Sequence, residues 1–241
     1  MLFHGTPCVI TGVLENMHCI GDRANHLALD VLEKISRNHA DRLDNSTTWR
    51  PRIEHALMLN SSNLERMREL GGMLHNHYTL YGFKQLIVNQ LVIASVQPTQ
   101  AQVFLTTDMF YAERRLGFDR AKDSYAYRSL LNASSWNVLP LGSDFPVEGV
   151  NPLYGFHAAI TRLSPEGISP HGSGGWFPDQ RLTREQALKG MTSDAAYASF
   201  SEQELGSITV GKKADFVVFD RDIMTIPSGN QGNSDIALYR L

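Results

Sequence analysis

The chain has 241 residues, enough to bury one large core or two modest ones, and its 42% hydrophobic and 20% charged content is that of an ordinary globular protein. A net charge of −3 gives no electrostatic reason to expect nucleic acid or an anionic membrane as partner, and no apolar run approaches the roughly 20 residues that span a bilayer. Two cysteines, Cys8 and Cys19, cannot build a disulfide framework, and no basic leader precedes the first apolar stretch, so a cytoplasmic setting is the default expectation.

A short apolar run that ends in a polar residue and leads into a helical pattern recurs along the chain. The first run ends at His18, after which Ala24, Leu27, Ala28, Val31 and Ile35 share helical spacing and predict one apolar face. The second, RPRIEHA, ends at His55. Ser62-x-x-Glu65 follows as a capping box and predicts a helix from Asn63 to Leu70. The third run, VIASVQP over 92–98, is closed by Pro98, and the fourth, VLPLGSDFP, ends at Asp144. Thr183-x-x-Gln186 is a second capping box, with Leu182 and Ala187 placed as a hydrophobic staple for a helix over 184–199. Further on, Phe216, Val217, Val218 and Phe219 read as a strand of a separate small β domain, and the Gly/Asn/Ser-rich end reads as poorly ordered.

Strands alternating with helices suggest a parallel sheet built from βαβ units. In a β/α barrel the reactive side chains stand at the C-terminal ends of the strands and face one mouth. His18, His55 and Asp144 all fall at such ends. One strand-end histidine alone is more often a hydrogen-bonded structural residue; three metal-compatible residues at three candidate strand ends make a stronger case.

The segments HCIGDRAN (18–25), RIEHA (52–56), ASVQPT (94–99), LPLGSDFPVEGVNPLYGFHAAITR (139–162), LTREQALKGMTSDAAYA (182–198) and LGSITVGKKADFVVFDRD (205–222) together resemble the amidohydrolase superfamily. Within it they are similar to the amidohydrolase-3 group, which includes N-substituted formamide deformylases. The resemblance implies an α/β fold: a partial metal-dependent-hydrolase β/α barrel (about strands five to eight) over 1–201, and a C-terminal piece of a small β-sandwich over 202–241. It implies hydrolysis of a carbon–nitrogen bond in a small amide-type substrate at one or two divalent metals, zinc foremost. By motif match, His18 and His55 would be metal ligands on the fifth and sixth strands. Asp144 would be the eighth-strand carboxylate that binds metal and shuttles the proton.

Imidazole is a good nitrogen ligand for zinc, and two of them leave coordination positions open. A carboxylate beside the attacking water can take its proton and return it to the departing nitrogen, a step an amidase needs because an amine leaves poorly unless protonated. Asp22 and Glu54 are candidates to orient the two histidines, with surface salt bridges as the plainer alternative. Gln100 stands where the family usually has a histidine after QPT, which bears on substrate recognition.

The sequence departs from the family in two further ways. The family's N-terminal His-x-His pair and its bridging lysine are absent; His75-x-His77 has the spacing but not the place. The expectation is therefore a chain that lacks strands one to four. Residues 72–91 interrupt the match, and joining Gly71 to Val92 restores the usual LGVIASVQP. A translated intron is the favoured explanation, with a real loop at the barrel mouth as the alternative. Three readings follow: a metal-dependent C–N hydrolase, a catalytically incompetent fragment or pseudoenzyme, and, last, a homo-oligomer or complex that completes the barrel, because half-barrels expose large apolar faces.

Overall fold

The computed structural model describes residues 16–38, 49–72, 92–102 and 108–227. The 72–91 interruption and the His75-x-His77 pair therefore lie almost wholly outside the described residues, as do Cys8 and the last fourteen positions, 228–241. The chain divides into two compact units, one of residues 1–94 and 130–138, the other of 95–129 and 139–241.

The first unit is built on a parallel sheet. Strands β1 (Asn16–Cys19), β2 (Arg52–His55) and β3 (Ile93–Ser95) lie in the order β1-β2-β3. In β1 and β2 burial alternates, so Met17, Cys19 and Ile53 are buried while Asn16 and His18 are exposed. The β1–β2 register sets Met17 beside Ile53 and His18 beside Glu54. Ile93 N–H donates to Pro51 O at 3.0 Å. Two helices cover this sheet's connections, α1 (Asp22–Asn38) and α2 (Ser61–Gly72).

The buried face of α1 is Asn25, Ala28, Leu29, Leu32 and Ile35, whereas Ala24 is exposed and Leu27 is 49% exposed. Ala28 and Ile35 of the predicted face are buried, while Leu29 and Leu32 reach the core in place of Ala24 and Leu27. Arg66 of α2 locks the two helices together, donating to Glu33 at 2.7 Å and Asp30 at 2.6 Å. The start of α2 also differs from expectation. Asn60 is the cap, its Oδ1 accepting from Asn63 N–H at 2.9 Å, and Ser62 donates its hydroxyl to the same oxygen. Glu65 pairs with Arg68 rather than turning back to a capping backbone. Asn is at least as good a cap as Ser, and it sits two residues nearer the strand.

In the second unit Val96, just past β3, bridges in parallel to Leu141. Pro98 does not merely end a strand; it opens a short helix, α3 (Pro98–Gln102), as proline favours the first helical turn. Helices α4 (Asp108–Leu116), α5 (Phe118–Ala121) and α6 (Tyr127–Ala133) follow, α6 running on into the first unit. Then come α7 (Pro152–Thr161), α8 (Arg184–Met191) and α9 (Ser193–Ala198). The Thr183–Gln186 capping box forms with both of its hydrogen bonds, and Leu182 and Ala187 are buried. The single helix expected over 184–199 is broken at Thr192, whose φ of −122° and ψ of −89° are not helical.

Gly190 explains how closely α8 is seated. A Cβ there would stand 2.7 Å from Leu139 O and 2.7 Å from Leu141 Cγ, and Leu141 N–H donates to Gly190 O at 3.0 Å. Buried Asp194 accepts from Leu139 N–H at 3.0 Å and pairs with Lys189, so the fourth strand run is held by both α8 and α9. Residues 213–219 carry no strand: Phe216, Val217 and Val218 are exposed, as are Ile208 and Val210. An apolar run becomes a strand only against a partner's ladder, and none pairs with it among the described residues.

Candidate functional site

The two candidate histidines of the first unit come together by a route that strand periodicity does not predict. In the parallel register Cys19 stands beside His55 and His18 beside Glu54. Regular alternation would therefore send His55 to the Cys19 face, away from His18. His55 instead has φ 71° and Ala56 has φ 42°, so the chain leaves β2 in the left-handed region. The His18 and His55 rings meet edge-on with centroids 4.3 Å apart and planes 69° apart. A non-glycine residue held there costs about 1–3 kcal/mol and persists only where its surroundings determine it.

Asn25 is part of those surroundings. Fully buried in the first turn of α1, its Nδ2 donates to Met58 O at 3.0 Å and Gly21 O at 3.1 Å. Met58 N–H donates to Ile20 O at 3.1 Å. The segments that leave β1 and β2 are thus tied to each other immediately beyond the two histidines. Sequence reasoning treated Asn25 only as the end of a matching motif; a polar residue on the buried stripe of an amphipathic helix was the available signal.

The neighbours of the pair take plainer roles. Glu54 accepts from Arg52 Nε at 2.9 Å in a half-buried ion pair, the salt-bridge alternative for that residue. Asp22 begins α1, where its carboxylate suits the positive helix end and accepts from Arg23 N–H at 2.9 Å. Burial pushes the Cys19 thiol above its ordinary range, which disfavours the thiolate needed for metal ligation.

In the second unit the structure brings Asp144 and Gln100 together. Asp144 has φ 62°, its carbonyl accepts from Val147 N–H at 2.8 Å, and its side chain is exposed. Gln100 Nε2 donates to Asp144 Oδ2 at 3.1 Å. His55 and Asp144 are therefore both left-handed residues at the ends of parallel strand runs.

Several buried polar groups of this unit escaped the sequence. Arg162 is wholly buried, donating from Nε to Trp176 O at 2.8 Å and from Nη1 to Tyr125 O at 2.7 Å. Its guanidinium lies 4.7 Å from the Tyr127 ring centroid and 5.0 Å from that of Trp176, and burial lowers its pKa. Trp176 Nε1 donates to Glu113 at 2.6 Å, and His171 Nε2 lies 3.0 Å from the same carboxylate. Burial, then the Asp108 carboxylate to which its hydroxyl donates, raise the Tyr125 phenol well above the usual tyrosine range. Glu148 is turned inward although Phe145, Val147 and Val150 around it are exposed; burial and then the charge of Asp108 push its carboxyl up.

As a metal centre, the His18–His55 pair has the right chemistry for the nitrogen half of a site that takes zinc or a similar divalent ion. Among the described residues no three His, Cys, Asp or Glu side chains converge as a metal-holding group. The pair accordingly fits a metal as two ligands of a larger set.

A parallel sheet alternating with helices is the architecture of metal-dependent hydrolase folds, and the comparisons place the chain among them. The amidohydrolase family profile matches residues 11–231, and the chain belongs to that family. It is 34% identical, over 95% of its own length, to Protein LONG AFTER FAR-RED 3 of Arabidopsis thaliana, covering 33% of that protein. It is 26% identical over 90% of its length to the N-substituted formamide deformylase of Arthrobacter pascens, again covering 33%. Among solved structures it is similar to a metal-dependent hydrolase from Pyrococcus horikoshii, with TM-score 0.67, 25% identity, and coverage of 91% of this chain and 36% of that one. The chain thus spans about a third of the length of the relatives it matches. Among the described residues no helix is long and apolar enough to cross a membrane.

Proposed function

We propose that the protein is a metal-dependent hydrolase of non-peptide, amide-type carbon–nitrogen bonds, with the described units forming part of a β/α barrel and residues 202–241 contributing to a small β-sandwich. The observation that carries this is the edge contact of His18 and His55 at the ends of two adjacent parallel strands. In this reading both imidazoles ligate a divalent cation, zinc by the donor chemistry, and Asp144 provides the carboxylate ligand and the proton shuttle. A divalent cation held by these residues, one ion or two, would acidify a water and polarise the carbonyl.

The residues of the chain do the rest. His55 is aimed by its left-handed backbone, and Asn25 holds the strand-end segments in place. Asp144 takes the proton from water as the water oxygen bonds to the carbonyl carbon, then gives it to nitrogen as the C–N bond breaks. The name of the Arthrobacter relative makes N-substituted formamides the first substrates to try.

A second reading is a catalytically incompetent fragment or pseudoenzyme. It is favoured by the lack of a third converging ligand among the described residues.

The test begins with metal uptake. His18→Ala and His55→Ala should each lower bound zinc, measured by elemental analysis after dialysis against a fixed free-zinc buffer. Unchanged zinc content in both variants removes the ligand assignment. Turnover of an N-substituted formamide by the zinc-loaded protein, with kcat falling roughly 10²- to 10⁴-fold in Asp144→Asn, selects the enzyme. Zinc bound by the histidines without turnover selects the incompetent form.

A further inference from the structure

The parallel bridge between Val96 and Leu141 brings two chain segments out of the sheet side by side. One passes through Gln97 into α3; the other reaches Asp144. Helix α3 is firmly seated: Thr99 is 1% exposed, and the Cβ position of Gly155 on α7 lies 3.8 Å from Thr99 Cγ2. Gln100 N–H donates to Gln97 O at 3.1 Å, which fixes the turn that carries the side chain. Asp144 is constrained in its own way, by φ 62° and by the Val147 bond to its carbonyl. Two fixed backbones therefore present an amide donor and a carboxylate acceptor to each other, and Nε2 meets Oδ2 at 3.1 Å.

We propose that Gln100 is a positioning residue for Asp144: its amide N–H holds Oδ2 and so sets the direction of the whole carboxylate. This rests on the proton-transfer role given to Asp144 above. A carboxylate that must collect a proton from water and deliver it to a nitrogen has to face both in turn, and a swing of the side chain would misalign it. An amide suits the task because it donates a hydrogen bond without titrating, so it cannot intercept the proton that Asp144 carries. The proton moves from water to the Asp144 carboxylate and from there to the departing nitrogen, with no oxidant or reductant required. Gln100 is thereby assigned to Asp144 rather than to the substrate.

The test uses Gln100→Met, which keeps side-chain length but has no donor, and Gln100→Glu, which offers only an acceptor. Three-bond couplings between the Asp144 Hβ protons and its backbone nuclei, measured by NMR on the labelled full chain, report its χ1 rotamer. The wild type should show one rotamer, and both variants should show averaging while their melting temperatures stay close to the wild type. A single unchanged rotamer in both variants overturns the proposal. Kinetically, Gln100→Met should lower kcat roughly 10- to 100-fold with KM held; a raised KM with kcat intact would mean that Gln100 touches substrate, and also overturns it. Failure of the underlying reading looks different: Asp144→Asn would then leave kcat near normal, whatever the rotamer data say about Gln100.

Discussion

Asn25 occupies a position where a helix turns its face to the core, and it is kept there by what its amide does. Its Nδ2 reaches Met58 O, 33 residues away, at 3.0 Å. Asn25→Ala removes that donor and leaves a buried carbonyl unpaired, which costs about 1–3 kcal/mol. The variant should unfold at lower urea concentration and should also bind less zinc, because the segments beyond His18 and His55 lose their tie. Stability and zinc uptake both equal to wild type would show that the tie does neither. Glu148 makes the opposite prediction. Its folded pKa is raised by burial, so its neutral form favours folding below the ordinary glutamate value near 4.3, and that contribution is lost as pH rises through the folded pKa. Glu148→Gln should therefore melt higher than wild type at pH 7, with the gap closing as pH falls towards 4. A variant less stable than wild type at pH 7 would mean that the ionised carboxylate is paired.

At the scale of the element, Gly190 sets two familiar effects against each other. Alanine in a helix interior is favoured over glycine by about 1 kcal/mol. A Cβ at 190, however, would lie 2.7 Å from Leu139 O, and that strand run is held in place by Asp194 and by the Leu141–Gly190 hydrogen bond. Overpacking against a backbone that cannot yield costs about 1–3 kcal/mol, so the clash should win and Gly190→Ala should lower the melting temperature. A higher one would mean that α8 can shift outward freely. The helices also show what local patterns can say. The Thr183–Gln186 capping box forms as read, because both hydrogen bonds lie within one helical turn. The Ser62–Glu65 box does not, because Asn60, two residues earlier in the strand-to-helix turn, already caps the helix through the Asn63 N–H. The face of α1 is a similar contest: Ala28 and Ile35 are buried as read, and Leu29 and Leu32 displace Ala24 and Leu27.

Across the whole molecule, the described residues leave a band of apolar side chains in the open between Ile208 and Val218. Ile208 is 91% exposed, Val218 76% and Phe216 67%. Monomeric proteins seldom leave such stretches bare. The chain by itself should bind a hydrophobic dye such as anilinonaphthalene sulfonate, and Phe216→Ser with Val218→Ser should reduce the fluorescence without lowering the melting temperature. Dye binding unaffected by the double substitution would place the sticky surface elsewhere.

The sequence by itself determined the family and the alternation of parallel strands with helices, and it named His18, His55 and Asp144 as candidates, because motif order, hydrophobic period and residue chemistry are all local properties. Only tertiary structure decided how those residues are aimed. The His18–His55 contact depends on a left-handed turn at His55 that breaks strand alternation; histidine is enriched among non-glycine residues at positive φ, but that preference is too weak to mark one position in a sequence. The partner of Gln100 lies 44 residues away on a neighbouring chain segment, and Arg162 lies over the rings of Tyr127 and Trp176, neither of them its neighbour in sequence. Glu148 reads as an exposed loop acid until the fold turns it inward. Each of these depends on which distant groups share a buried volume, and a one-dimensional pattern holds no record of that.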